Sequence, residues 1–123
     1  MELAQGAVAI LPCNDLDASE AFYARLGFTR TPGYPDYRIL THPAGLQLHL
    51  NPAVEGWVTP GRNSFGVYLY VEDVDALAAP VRDIWINGDG PADREWGMYE
   101  VAVSDPDGVL VRIGWPTRVR SAG

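Results

Sequence analysis

The sequence predicts an α+β fold in which paired βαβββ modules form a curved mixed sheet with a concave cleft. Three observations predict it. The chain contains an internal repeat. Its apolar residues fall in short alternating runs. And 13 Gly and 10 Pro among 123 residues break the chain too often for long helices. The repeat has two segments. Asn14-Asp15-Leu16-Asp17-Ala18 matches Glu72-Asp73-Val74-Asp75-Ala76, 58 residues on. Pro43-Ala44-Gly45-Leu46-Gln47-Leu48-His49-Leu50 matches Pro106-Asp107-Gly108-Val109-Leu110-Val111-Arg112-Ile113, 63 residues on. The same order at nearly the same offset marks two halves, about 1–58 and 59–118. Neither is comfortable alone at that size, so residues 1–123 read as one domain.

Each half opens with an apolar strand, Ala7 to Leu11 and then Phe65 to Val71. A helix follows. Asp17 and Glu20 have capping-box spacing at the first helix, with Asp in place of Ser or Thr. Ala18, Ala21, Phe22 and Leu26 form its apolar face, and Gly27 is a left-handed stop. The second helix begins near Asp73 or Asp75, and Pro80 makes it short or broken. Hairpins complete the halves: Tyr37 to Thr41 with Leu46 to Leu50, and Met98 to Ser104 with Val109 to Ile113. Asp105-Pro106-Asp107-Gly108 is strong turn chemistry between the last two.

Alternation assigns the faces. Leu46, Leu48 and Leu50 turn to the helix, and Gln47 and His49 away from it. Val109, Val111 and Ile113 pack inward, while Leu110 and Arg112 do not. Val67, Leu69 and Val71 face the core, and Gly66, Tyr68 and Tyr70 share the opposite face. Both halves thus place polar and aromatic groups on one side of the sheet, which suggests a binding cleft.

Charge narrows the partners. Nine Lys and Arg against 16 Asp and Glu leave a net charge of -7. Nucleic acid binding wants a basic face and is disfavoured, whereas a cationic small molecule would be attracted. Cys13 is the sole cysteine, so no intramolecular disulfide or thiolate cluster forms, and a cytoplasmic location fits. No run is apolar enough for a signal peptide or a membrane span. Thirteen aromatic residues give a large stacking capacity.

Asp15-Leu16-Asp17-Ala18, then Phe22-Tyr23-Ala24-Arg25-Leu26-Gly27-Phe28, then Asp105-Pro106-Asp107-Gly108 resemble the vicinal-oxygen-chelate superfamily of glyoxalases, dioxygenases and bleomycin-resistance proteins. Its metal-dependent members carry ligands at strand positions matching Val8, His49, Ser64 or Gly66, and Arg112. Only His49 could ligate, and a site needs three or four donors. Arg112 is a fixed cation and repels a metal. The resemblance therefore implies no metal, no cofactor and no catalysis.

Asn63-Ser64-Phe65-Gly66 with Tyr68 and Tyr70, and Trp96-Gly97 leading into Glu100-Val101-Ala102-Val103-Ser104-Asp105-Pro106, are most similar to the bleomycin-resistance proteins. That similarity implies a homodimer with drug grooves at its interface and sequestration of a cationic glycopeptide antibiotic with a planar tail. Tyr37, Tyr68 and Trp96 match the family's stacking positions. The family's hinge Pro is Ala9 here, and the segment Val81 to Arg94 is shorter.

The bland alternatives are specific. Trp96 can be a loop residue folded onto the core, and Tyr68 and Tyr70 ordinary cross-strand packing. Trp57 suits a lid or dimer contact as well as a ligand contact. Trp85 reads as core, and Trp115 as cover for an edge or dimer face. His49 can be a hydrogen-bonded sheet residue, and Arg112 an ion-pair partner of Glu100. The repeat places His49 and Arg112 at equivalent points, so a joint grip on an anion is the rival function: an enzyme or binder of the same fold acting on a small, anionic metabolite. Arg118-Val119-Arg120 reads as a frayed tail.

Overall fold

The computed structural model describes residues 5–120. Its elements in chain order are β1 (Ala9–Cys13), α1 (Leu16–Arg25), β2 (Thr29–Arg30), β3 (Arg38–Thr41), β4 (Gln47–Pro52), β5 (Gly66–Tyr70), α2 (Val74–Ala78), a 3-10 helix (Ala79–Ile84), β6 (Ala92–Asp93), β7 (Met98–Ser104), β8 (Leu110–Pro116) and α3 (Thr117–Arg120). The strands form two four-stranded sheets with matching orders, β1-β4-β3-β2 and β5-β8-β7-β6. In each, the first strand runs parallel to the last and the others are antiparallel. The α+β class and the βαβββ repeat are those the sequence predicts. The hydrogen-bond ladders divide the expected sheet into two.

The repeat is visible in the registers. Ile10 pairs with His49 in the first half, and Tyr68 with Arg112 in the second. Residues related by the offsets of 58 and 63 thus occupy the same ladder positions. β2 and β6 are two-residue strands too short for an alternation signal.

β1 lies two residues later than the expected Ala7–Leu11. Its ladder with β4 starts at the Ala9–Leu48 pair, so Ala7 and Val8 lie before it. The cap of α1 also differs. Asp15, not Asp17, accepts the Ala18 amide at 3.1 Å. Asp17 and Glu20 instead hold the Arg38 guanidinium at 2.8 and 2.9 Å. The buried face of α1 is Ser19, Phe22, Tyr23 and Leu26, and Ala18 and Ala21 are exposed. Bulk decides which face turns inward, since an alanine gains little from burial. α2 is short as expected, capped by Asp73 on the Ala76 amide at 3.0 Å and giving way to 3-10 geometry at Ala79-Pro80.

α1 packs on β4, and α2 on β7 and β8. Leu48, Leu50, Leu69, Val101, Val103, Val111 and Ile113 turn to this side and are buried in one core cluster. Buried polar bonds join the halves. Tyr23 donates to Asp105 Oδ2 at 2.7 Å and Ser19 to Asp107 Oδ2 at 3.1 Å, and at the edge of this cluster the Asn14 backbone N–H donates to Asp107 Oδ1 at 3.1 Å. Trp85 packs against the core as expected and donates its indole N–H to the Ala78 carbonyl. Arg118-Val119-Arg120 belongs to α3 and is not a frayed tail. Arg120 stacks 3.6 Å over the Tyr99 ring, which holds the turn down.

Candidate functional site

The face of each sheet away from the helices is open. In the second half it carries a cluster centred on Glu100. β7 is apolar around this residue, and its alternation sends Glu100 to the open side among Met98, Ala102 and Ser104. The residue is nonetheless only 2% exposed. Three donors cover it: the Tyr68 hydroxyl and the Trp96 indole N–H reach Oε1 at 2.8 and 2.9 Å, and Arg112 Nη1 reaches Oε2 at 2.7 Å.

A buried carboxylate without partners would be very costly, and three donors, one charged, remove most of that cost. Burial alone would raise the carboxyl pKa, but the bonds from Trp96, Arg112 and Tyr68 outweigh it and hold it below its ordinary value. The Tyr68 hydroxyl is pushed up, first by burial and then by the neighbouring carboxylate.

Backbone chemistry makes room for this cluster. Gly114 lies directly opposite Glu100 in the β7–β8 ladder. A Cβ there would run into the Tyr68 hydroxyl and come within 2.8 Å of the Glu100 Cβ. Gly97 takes a φ of 86°, the left-handed turn that follows Trp96. The indole is thus bonded at its N–H while 57% of the residue stays exposed. Tyr70, also largely exposed, stacks on Tyr68 with ring centroids 4.5 Å apart. Arg112 lies 6.0 Å from the Trp96 centroid, and its side chain is 40% exposed. Trp96, Tyr68 and Tyr70 thus present ring surface around one neutral ion pair.

The first half carries a different cluster. The Tyr37 hydroxyl lies 2.8 Å from His49 Nδ1, and Gln47 Nε2 lies 3.2 Å from His49 Nε2. His49 thus has a hydrogen-bond partner at each ring nitrogen. The Tyr37 and His49 rings meet edge to face at 5.3 Å.

Of the residues the sequence singles out, Tyr68, Tyr70, Trp96 and Arg112 come together in one half, and Tyr37 and His49 in the other. No hydrogen bond or ring contact among the described residues joins the two groups. Trp57 is apart from both. It is 80% exposed on the linker between the halves, beside a cavity of about 440 Å³ lined with Pro12, Asn63 and Phe65. A second cavity, of about 700 Å³, touches only Tyr70 of these residues. It lies among Leu26, Leu77, Pro80 and Trp115, and Glu100, Trp96, Arg112, Tyr37 and His49 do not line it.

Glu100 is the residue sequence reasoning undervalued, naming it only as an ion-pair partner. Its signal was a lone acid between the apolar residues of β7, paired across the ladder with a glycine.

The donor set does not fit a divalent metal. Val8 and Gly66 offer no side-chain ligand, Arg112 is a cation committed to Glu100, and His49 is bonded on both ring nitrogens. Among the described residues, no three His, Cys, Asp or Glu side chains are grouped to hold an ion.

A family model described as glyoxalase/bleomycin resistance protein/dioxygenase superfamily matches residues 5–113. The chain belongs to this superfamily. Solved structures agree with the assignment. A bleomycin-binding protein complexed with bleomycin is 29% identical, with a TM-score of 0.76 over 91% of this chain and 98% of its own. A bleomycin resistance determinant encoded on transposon Tn5 is 28% identical, with a TM-score of 0.76 over 92% and 98%. TnmS3, an antibiotic-binding protein from Streptomyces sp. CB03234, is 25% identical, with a TM-score of 0.68 over 94% and 98%. No curated protein matches the chain. No helix among the described residues is long and apolar enough to cross a membrane. Two of the positions at which the resemblance leads one to expect metal ligands hold a hydrogen-bonded imidazole, His49, and a paired guanidinium, Arg112.

Proposed function

We propose that this protein binds and sequesters a bleomycin-type glycopeptide antibiotic in the cytoplasm, without a metal and without catalysis, and so confers resistance. The observation that carries the reading is the Trp96 ring, held at the open face by Glu100 beside the stacked Tyr68 and Tyr70. A flat aromatic tail can stack on these rings, and cation–π contact adds about 0.5–2 kcal/mol per cationic group. The net charge of -7 favours the approach of a cation. The similarity to bleomycin-binding proteins points to the same ligand class. Residues 1–123 act as one domain and assemble as a homodimer. Each groove joins the Tyr37–His49 wall of one protomer to the Trp96 wall of its partner, with Trp57 at the rim.

Titration with metal-free bleomycin should quench tryptophan fluorescence at sub-micromolar drug and saturate near roughly one drug per chain. No quenching at tens of micromolar drug overturns the reading. A second reading rests on Arg112, which uses only Nη1 on Glu100 and stays part-exposed. Its remaining donors could then hold an anionic metabolite. Arg112→Ala would abolish that binding and spare drug stacking, and Trp96→Ala would do the reverse.

A further inference from the structure

We propose that Glu100 is the residue that sets which ligands this cleft accepts, by fixing the Trp96 ring and cancelling the charge of Arg112 at the same time. The inference rests on the binding reading above and assigns a role to a residue that would not itself touch the ligand.

The geometry separates two tasks on two oxygens. Oε1 takes both aromatic donors, Trp96 Nε1 and the Tyr68 hydroxyl. That bond gives a largely exposed indole a fixed direction, which a free surface Trp lacks. The ring's rotamer freedom is lost before the ligand arrives, so less is lost on binding. Oε2 takes Arg112 Nη1. The guanidinium beside the Trp96 face is thereby neutralised. Without that pairing, a lone cation would stand where a cationic planar ligand has to approach. Like-charge juxtaposition is an efficient way to reject a partner, and removing it admits one. The carboxylate is buried and Arg112 is not, so the negative charge has no role in solvent. Its charge acts on the guanidinium.

Two substitutions divide the tasks. Glu100→Gln keeps an acceptor oxygen for Trp96 and Tyr68 but turns an NH2 toward Arg112, freeing the positive charge. Glu100→Ala removes both acceptors and also frees the ring. Stable folding is checked by thermal unfolding of each variant. Binding is measured with metal-free bleomycin and with two planar dyes of opposite charge, thioflavin T and 8-anilinonaphthalene-1-sulfonate.

Glu100→Gln should weaken bleomycin and thioflavin T by about tenfold and strengthen the anionic dye by a similar factor, with the difference shrinking as salt rises. Glu100→Gln combined with Arg112→Gln should restore both cationic ligands to within about threefold of the native protein. The Trp96 indole N–H resonance, assigned through Trp96→Phe, should stay near its native position in Glu100→Gln and move upfield in Glu100→Ala. A purely structural glutamate would weaken all ligands alike and would not be rescued by the second substitution.

The proposal is overturned if charge preference is the same in native and Glu100→Gln protein, or if the indole resonance is unmoved in Glu100→Ala. Absence of bleomycin binding by the native protein defeats the functional reading alone. The indole resonance and the dye preference still decide the role of Glu100.

Discussion

The Tyr68 hydroxyl and the Trp96 indole N–H donate to the same oxygen of one buried carboxylate, at 2.8 and 2.9 Å. One residue comes from a strand and the other from a turn 28 positions later. The shared acceptor turns two separate aromatic residues into one platform.

Trp96→Ala should therefore lose more than the ring's own contact area. It removes a stacking surface and leaves Oε1 with one donor fewer. Bleomycin affinity should fall about tenfold or more, in keeping with the energy of a well-packed aromatic contact. Trp96→Phe keeps a ring without the N–H and should fall between the two. Calorimetric titration of the three proteins checks the order. Equal affinities for all three would remove Trp96 from the site.

Tyr23 ties the halves together through Asp105. Burial raises the Asp105 carboxyl pKa despite its bonds from Tyr23, Val109 and Asp107. Tyr23→Phe would leave a buried oxygen short of a donor, which costs about 1–3 kcal/mol. Urea unfolding should show a lower midpoint with an unchanged slope, because the same surface is exposed on unfolding. A changed slope would mean that the halves have come apart and no longer unfold together.

The sequence carried the large features because they rest on periodicity. Alternation placed Val67, Leu69 and Val71 inside and Tyr68 and Tyr70 outside, and the ladders agree. The repeat put His49 and Arg112 at equivalent points, and they occupy equivalent registers. What failed was local competition. Asp15 and Asp17 are both good caps, and only tertiary structure shows Asp17 spent on Arg38. Glu100 was undervalued because a charge in a strand reads as surface. Its burial depends on Tyr68, Trp96 and Arg112 arriving from three other segments, which no local pattern encodes.

The Glu100 carboxyl gives a signed pH dependence. Its folded pKa lies below the ordinary carboxylate value, so the folded state favours the ionised form. That stability is fully present above the unfolded pKa of about 4.3 and is lost as pH falls through the lower folded value. Glu100→Gln lacks this term. The gap in melting temperature between native and Glu100→Gln protein should therefore narrow as pH is lowered from 6 toward 3 (roughly the span below the ordinary Glu pKa). A gap that widens in acid would mean that Glu100 is protonated in the native cluster.

Ile10 tests the shared groove. It pairs with His49 in the β1–β4 ladder and stands half-exposed on the open face, where its counterpart in the other half is Tyr68. Val8 and Phe65 are also exposed. Apolar side chains left open in this way mark a surface that expects cover. In the proposed homodimer, the partner's open face supplies it. Ile10→Asp places a charge on that surface while leaving the inward-facing Leu11 and Cys13 untouched, so the protomer should still fold. Sedimentation should show a shift from dimer to monomer, and bleomycin binding should weaken with it, because in the proposed homodimer each groove takes walls from both chains. If Ile10→Asp remains dimeric with native affinity, the interface lies elsewhere. If it becomes monomeric and still binds with native affinity, the Trp96 wall is sufficient alone.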